Sequence, residues 1–278
     1  MRNLTVIFLL AVMFVFQSCE NKAQNGKKES YKKGETSKPN ATENAANSKV
    51  ISTPTHEIIE EFYKAIFDND NTKVREMLES KFPANYEPKN KISPLQAVIW
   101  TSDNLYLARL FVEGGARINN PEKPAVVTAS EYGRLNILKY LVSKNADFKN
   151  SEALNTAGFH QFYDCGKFLL LNGASQEKGD VRGKLWLFEQ AVNKVDYEVL
   201  DALNLTKDEI NQNNCDGETA LIIAIKKNDT ELVKYLVNKG ADKKKPETFD
   251  CGDDITYGKT PLQIARESNR QGIISLLE

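Results

Sequence analysis

Apolar residues recur at helical spacing in paired short segments along most of the chain. The clearest pair lies between Asn214 and Asp242, where the apolar stretches ALIIAI and LVKYLV flank the polar dipeptide Asn228-Asp229. Segments with apolar residues three and four positions apart predict amphipathic α-helices, and the Gly- and Asn-containing segments between them predict turns. The pattern therefore predicts a series of short antiparallel helix pairs joined by turns.

The helix pairs repeat at intervals of about 33 residues, a period typical of stacked structural repeats. The unit between Asn214 and Asp242 resembles the ankyrin repeat, although Ala220 and Ile222 replace the Pro and His of the family pattern. The matching positions are Thr219, Leu221, Ala224, Leu232, Val233, Leu236, Val237, Gly240, Ala241 and Asp242, and in the last unit Gly258, Thr260, Pro261, Leu262 and Ala265. The resemblance implies an all-α ankyrin-repeat solenoid of stacked helix-turn-helix units with projecting finger loops, preceded by a disordered tether.

Residues 53–278 divide into about seven units, because one helix pair cannot bury both of its apolar faces and must stack on its neighbours. We predict a cap from His56 to Tyr86, a degenerate unit from Leu185 to Asn211 and an enlarged loop from Pro246 to Tyr257. Small residues should let the first helices approach closely, at Ala129, Ala157, Ala191, Ala224 and Ala265. Residues in left-handed conformation should end the second helices, at Gly115, Asn145, Gly173 and Gly240.

The N-terminal residues have a different pattern. Arg2 precedes an apolar run from Leu4 to Phe16, which is typical of an export signal and too short to span a bilayer comfortably. The stretch resembles a bacterial lipoprotein signal peptide, with a lipobox at residues 16–19. That resemblance implies removal of residues 1–18 and lipidation of Cys19, although Phe16 and Gln17 depart from the usual pattern and a plain secretory signal is the alternative.

Residues 19–52 combine the lipidated Cys19 with a polar segment that is predicted to be a disordered tether, because it has too few apolar residues to offset chain entropy. Its lysines at positions 27, 28, 32 and 33 either contact anionic headgroups or solvate the linker, and we favour solvation. The implied location is the bacterial cell envelope, anchored to a membrane and facing the periplasm.

Composition and motifs argue against catalysis. The chain of 278 residues has 37 basic and 38 acidic side chains and a net charge of −1, so it offers nucleic acid no general attraction. No phosphate-binding loop, HExxH, CxxC or GxSxG motif occurs. We expect no enzyme, cofactor or metal. Asp250, Asp253 and Asp254 lie in the enlarged loop, where a solvated acidic loop is favoured over a calcium site.

The cysteines beyond Cys19 divide into two kinds. Cys165 falls at a core position of a second helix and should be a small buried residue. Cys215 and Cys251 lie in neighbouring finger loops, where an exported protein could form a disulfide. The sequence leaves open whether these two residues are bonded.

The resemblance to ankyrin repeats implies that the protein binds another protein through its first helices and finger loops. We expect a monomer, although the sequence does not show the oligomeric state. The candidate groove residues are Trp100, Glu131, Tyr132, Phe159, His160, Asn193, Lys226 and Lys227, and the candidate finger residues are Asn214, Asp216, Glu218, Tyr257 and Lys259. The rings of Trp100 and Phe159 could instead fill gaps in the core, whereas Tyr132 favours exposure because its hydroxyl needs a partner. His160 is expected to be a groove residue and not a catalyst.

Two binding roles remain open at this point. The first is an envelope scaffold or adaptor, and the second is an immunity-type protein that neutralises a toxin or enzyme. A third possibility, from a different class, is a calcium-responsive sensor or enzyme that uses the acidic loop near Cys251.

Overall fold

The computed structural model describes residues 54–87, 92–250 and 254–278. The chain divides into two units, residues 1–50 and 51–278, and the described residues all belong to the second. The predictions for the signal peptide, Cys19, the tether, Cys251 and Asp253 concern positions outside the described residues. Within the described ranges, none of the helices has the length and apolar character needed to cross a membrane.

The described residues contain seven helix pairs, one additional short helix and one β-hairpin. The helices are α1 (His56–Phe67), α2 (Asn71–Glu79), α3 (Pro94–Thr101), α4 (Leu105–Glu113), α5 (Ala125–Glu131), α6 (Leu135–Ser143), α7 (Ala153–Phe159), α8 (Tyr163–Leu171), α9 (Arg182–Lys194), α10 (Tyr197–Ala202), α11 (Lys207–Ile210), α12 (Ala220–Lys226), α13 (Thr230–Lys239), α14 (Pro261–Glu267) and α15 (Gln271–Leu277). The strands are β1 (Thr248–Asp250) and β2 (Ile255–Tyr257).

Local sequence explains where these helices begin and end. Side chains such as Ser93, Thr219 and Thr260 accept hydrogen bonds from backbone N–H groups of the first helical turn. The predicted left-handed residues that follow second helices are confirmed, with φ of 62° at Asn145 and 103° at Gly240. Gly115 and Gly173 likewise have positive φ, at 90° and 82°. Each helix is therefore terminated within a few turns, which leaves it dependent on its neighbours for stability.

The first helices of the pairs pack on one another in chain order, α1, α3, α5, α7, α9, α12 and α14. The second helices form a parallel row on the other side of the same core. All five small residues predicted to permit close approach are fully buried in the first row: Ala129, Ala157, Ala191, Ala224 and Ala265. The predicted solenoid of stacked helix pairs is therefore confirmed.

The closest approach lies between α7 and α9, where two glycines face backbone. A Cβ atom at Gly158 would lie 2.1 Å from the carbonyl oxygen of Gly183, and a Cβ at Gly183 would lie 1.9 Å from that of Asn155. Both distances are far below van der Waals contact, so only glycine fits at either position. These two residues set the spacing between the fourth and fifth helix pairs.

Two features differ from the sequence-based expectation. The enlarged loop contains the antiparallel hairpin β1–β2, with Thr248 opposite Tyr257, so the fold is not wholly helical. The N–H of Thr248 donates to the carbonyl of Gly217 at 2.9 Å, which ties the hairpin to the preceding finger. The degenerate unit also begins earlier than predicted, because α9 starts at Arg182.

Candidate functional site

Each first helix presents one side chain two positions after a buried core residue. We call this set the first-helix row; its members are Phe67, Trp100, Glu131, Phe159, Asn193, Lys226 and Glu267. Glu131 is half-buried and the other six are exposed. The row changes character along the solenoid, from mainly aromatic at the N-terminal end to polar at the C-terminal end.

The aromatic members of the row are accessible to solvent. Phe67, Trp100 and Phe159 are 44%, 45% and 45% exposed. The Trp100 ring meets the Phe67 ring edge-on, with centroids 5.9 Å apart. The structure thus places Trp100 and Phe159 on the surface instead of in gaps of the core. Exposed rings that are already ordered by their helices are well suited to anchor a protein partner.

Sequence reasoning missed Phe67. The signal was available, because Phe67 follows Ala65 by the same two positions that separate Phe159 from Ala157. The predicted Tyr132 lies one position beyond the row and is only half-buried. Burial and, to a smaller extent, the neighbouring Glu131 carboxylate raise the pKa of Tyr132. The third aromatic residue of the row is therefore Phe67, and Tyr132 is not a member.

A cleft of about 350 Å³ opens where the row meets the finger loops at α5 and α7. Its walls include the predicted groove residues Glu131, Phe159 and His160. The remaining lining residues are Glu122, Lys123, Pro124, Val127, Glu152, Asn155, Thr156 and Asp180. The structure therefore brings three of the predicted groove residues into one concave site.

Ion pairs and ring contacts shape this cleft. Lys123 Nζ lies 2.8 Å from Glu131 Oε2, which bridges the finger and the row. Arg182 pairs with Asp180 at 2.5 Å, and this contact holds the pKa of the Asp180 carboxyl below its usual range. The Arg182 guanidinium also lies 4.9 Å from the centroid of the Phe159 ring, and His160 contacts the same ring edge-on.

Asn155 is a further site residue that sequence reasoning missed. It is fully buried in α7, and its amide donates to the carbonyls of Gln176 and Lys178 at 3.0 and 2.8 Å. Its Oδ1 accepts from the N–H of Lys184 at 2.8 Å. These bonds fix the loop that carries Asp180 against the cleft. The sequence signal for this role was a polar residue, Asn155, between apolar residues of a short predicted helix.

The polar end of the row is occupied by intramolecular contacts. Lys226 Nζ pairs with Glu218 and lies 2.6 Å from Glu247. Partial desolvation acts to lower the pKa of Lys226, but its bonds to these two carboxylates outweigh it and the pKa is raised. Lys227 donates to the backbone carbonyl of Asn193 at 3.0 Å. Three predicted groove residues thus help to brace the solenoid.

The predicted finger residues also divide by role. The side-chain oxygen of Asn214 accepts from the N–H groups of Asp216 and Glu218, which forms the turn of that finger. Lys259 pairs with Glu267 at 2.5 Å, again joining a finger to the row. Asp216 is exposed, and Tyr257 is 71% exposed. These last two side chains are the finger positions most open to a partner.

The structure describes only part of the cysteine and acidic-loop predictions. Cys165 is buried, and desolvation raises the pKa of its thiol to about 12. Cys215 is exposed, and its pairing with Cys251 stays a prediction. Asp254 is exposed, while the calcium hypothesis for the acidic loop stays untested. Across residues 54–87, 92–250 and 254–278, no group of His, Cys, Asp and Glu is arranged to hold a metal ion.

A family model agrees with the repeat assignment in the C-terminal part of the chain. Residues 188–278 match the family model for ankyrin repeats in three copies. A segment of 79 residues is 35% identical to an L-asparaginase of Dirofilaria immitis, covering 28% of this chain and 12% of that protein. The ankyrin repeat domain of human ASB11 aligns with a TM-score of 0.49 and 18% identity, over 65% of this chain and 83% of that chain. The family model assigns residues 188–278 to ankyrin repeats, and the helix pairs before them stack in the same order of first and second helices.

Proposed function

We propose that this chain is an exported, lipid-anchored ankyrin-repeat protein that binds another protein in the cell envelope. Ankyrin repeats imply a role in protein–protein interaction. The export signal and the lipidated Cys19 are supported by the apolar run from Leu4 to Phe16 and the following Ser18-Cys19. The protein acts as a scaffold or adaptor, and the binding surface is the first-helix row together with the adjacent cleft.

The exposed aromatic end of the row carries this proposal. Phe67, Trp100 and Phe159 each leave nearly half of a large side chain in water, although the helices beneath them are tightly packed. Apolar area removed from water on binding contributes about 25 cal/mol per Å², and aromatic side chains dominate the energetics of many interfaces. Rigid helices hold the rings in place, so little ordering entropy is lost when a partner covers them.

A matched pair of variants tests the binding surface. The variant W100A/F159A removes two rings of the row, and Y106A/Y197A removes two similarly exposed rings from the second helices α4 and α10. A partner isolated by cross-linking from detergent-solubilised envelope is purified and titrated against all three proteins. We expect W100A/F159A to weaken binding by about a hundredfold, as for two interface anchors, and the control to change it little.

If the two variants weaken partner binding equally, or if W100A/F159A does not weaken it, the first-helix row is not the binding surface. The same titration separates the two roles. One partner bound at nanomolar affinity, whose own activity is blocked, would favour an immunity-type protein, whereas several weaker partners would favour the adaptor.

Lipid anchoring is tested separately, through Cys19. Metabolic labelling with a fatty acid should mark the wild-type protein, and Cys19→Ser should abolish the label and release the protein from the membrane fraction. More than one lipid chain is needed for stable attachment, so loss of the modified residue removes the anchor. Labelling that persists in Cys19→Ser would refute this assignment.

A further inference from the structure

The geometry points to the cleft between α5 and α7 as a pocket for an arginine or lysine side chain of the bound protein. The basic side chain belongs to an extended segment that also places an apolar residue on the Phe67–Trp100 ring pair. This inference rests on the proposed function and names the chemistry of its partner. It depends on the unpaired carboxylates of the cleft, on the accessible surface of the Phe159 ring and on the distance between neighbouring first helices.

The cleft has an excess of negative charge that its own residues do not neutralise. Its lining includes four carboxylates, at Glu122, Glu131, Glu152 and Asp180. Lys123 pairs with Glu131, and Arg182 pairs with Asp180. Within the part of the chain that the structure describes, the carboxylates of Glu122 and Glu152 form no ion pair, and both residues are exposed. Since the whole chain has a net charge of −1, this excess is a local property of the cleft.

The Phe159 ring adds a second interaction suited to a cation. Its accessible surface lines the cleft, and the protein's own Arg182 already lies 4.9 Å from the ring centroid. An arginine or lysine over an aromatic face within about 6 Å is attracted by the ring quadrupole. The apolar stem of such a side chain would pack against Val127, another lining residue. A carboxylate or an uncharged side chain would gain neither the attraction of the unpaired carboxylates nor the cation–π interaction with Phe159.

The stacking distance sets the spacing within the bound segment. Neighbouring first helices lie about 8–10 Å apart, and an extended peptide advances about 3.3 Å per residue. One layer of the solenoid therefore corresponds to about three residues of bound peptide. The cleft lies between α5 and α7, one to two layers from Trp100 on α3, so an apolar residue about three to six positions from the basic residue would reach the Phe67–Trp100 pair.

The probe for this inference is a phage-displayed library of random dodecapeptides, selected on the full chain in detergent. The test variant is E122Q/E152Q, which removes the two unpaired charges without breaking an ion pair. The control is E76Q/E231Q, which makes the same change of charge at exposed positions on α2 and α13. Wild type and control should enrich peptides with Arg or Lys about three to six positions from an apolar residue.

The variant E122Q/E152Q should lose the Arg and Lys enrichment while it keeps the apolar preference. One selected peptide is then remade with citrulline in place of the basic residue. Citrulline should weaken binding to wild type by about tenfold, as expected for two solvent-accessible charge contacts, and should barely change binding to E122Q/E152Q.

Each failure has a distinct meaning. Peptides that depend on Trp100 and Phe159 but show no preference for Arg or Lys would overturn this inference and leave the binding surface standing. A preference for Arg or Lys that persists in E122Q/E152Q would overturn it as well. Recovery of no peptide that depends on the row would overturn both this inference and the proposed binding surface.

Discussion

Replacing Gly183 by alanine should destabilise the protein far more than the addition of a single methyl group suggests. Gly183 is the second residue of α9, and its backbone conformation is one that alanine adopts readily. Helix propensity alone would make Gly183→Ala stabilising by about 0.5–1 kcal/mol. The added Cβ, however, would lie 1.9 Å from the carbonyl oxygen of Asn155, which is backbone and cannot rotate away.

The size of the effect follows from the required movement. Cβ contacts shorter than 3.0 Å are essentially never seen, so α9 must move away from α7 by more than 1 Å. Overpacking of a tight interface costs about 1–3 kcal/mol, and a gap of this size also forfeits a quarter to a half of the dispersion energy across it. The movement further stretches the 2.8 Å bond from the N–H of Lys184 to Asn155. We expect a net loss of about 3 kcal/mol after the gain in helix propensity.

Thermal unfolding followed by far-ultraviolet circular dichroism measures this loss. For a domain of this size a loss of about 3 kcal/mol lowers Tm by about 6–12 °C. Gly272→Ala is the control, because Gly272 is also the second residue of its helix, α15, and a Cβ there would meet nothing closer than 4.0 Å. It should leave Tm unchanged or raise it slightly. A Gly183→Ala protein with wild-type Tm would refute the argument that this glycine sets the spacing of α7 and α9.

Three further predictions concern polar groups that are buried or half-buried. Lys184 is 2% exposed, and its Nζ lies 2.7 Å from Glu209 Oε1. Lys184→Met should lower the free energy of unfolding, measured by urea unfolding, by about 2 kcal/mol, which is less than for a fully buried ion pair because Glu209 reaches solvent. Burial opposes ionisation of Asp196, but the hydrogen bonds from Lys167 and Tyr163 outweigh it and lower the pKa of Asp196. Asp196→Asn should therefore lower the free energy of unfolding at neutral pH, and the difference in this free energy from wild type should narrow as pH falls below the ordinary pKa of 3.8. Native Cys165 should resist iodoacetamide at mildly alkaline pH, as read by peptide mass spectrometry, and react once urea unfolds the protein.

Local sequence was sufficient to predict the helix pairs and their ends. Ser93, Thr219 and Thr260 mark helix starts because their side chains bond to the adjacent backbone, and Gly240 marks an end because it adopts positive φ without steric cost. These are interactions between residues a few positions apart. The enlarged loop was also visible as an irregular repeat interval, but its hairpin was not, since strand pairing there depends on contact with the neighbouring finger at Gly217.

The candidate site was only partly predictable. Trp100, Glu131, Phe159 and His160 were found from their places in the repeat, because equivalent positions on successive first helices share one face. The partners of those residues were not predictable in the same way. Lys123 and Glu131 meet across a finger and a helix, and Arg182 reaches Phe159 from the next unit along the chain.

The sequence by itself determined the repeating unit, the apolar faces that must be buried and the chemical character of the N-terminal segment, since each depends on residue order and short-range geometry. Only the tertiary structure decided which row positions stay open. Phe67, Trp100 and Phe159 remain accessible, whereas Lys226 is held by Glu218 and Glu247. The physical reason is that the charge and exposure of a groove are set by side chains from different repeats, and their separations depend on how closely the helices stack.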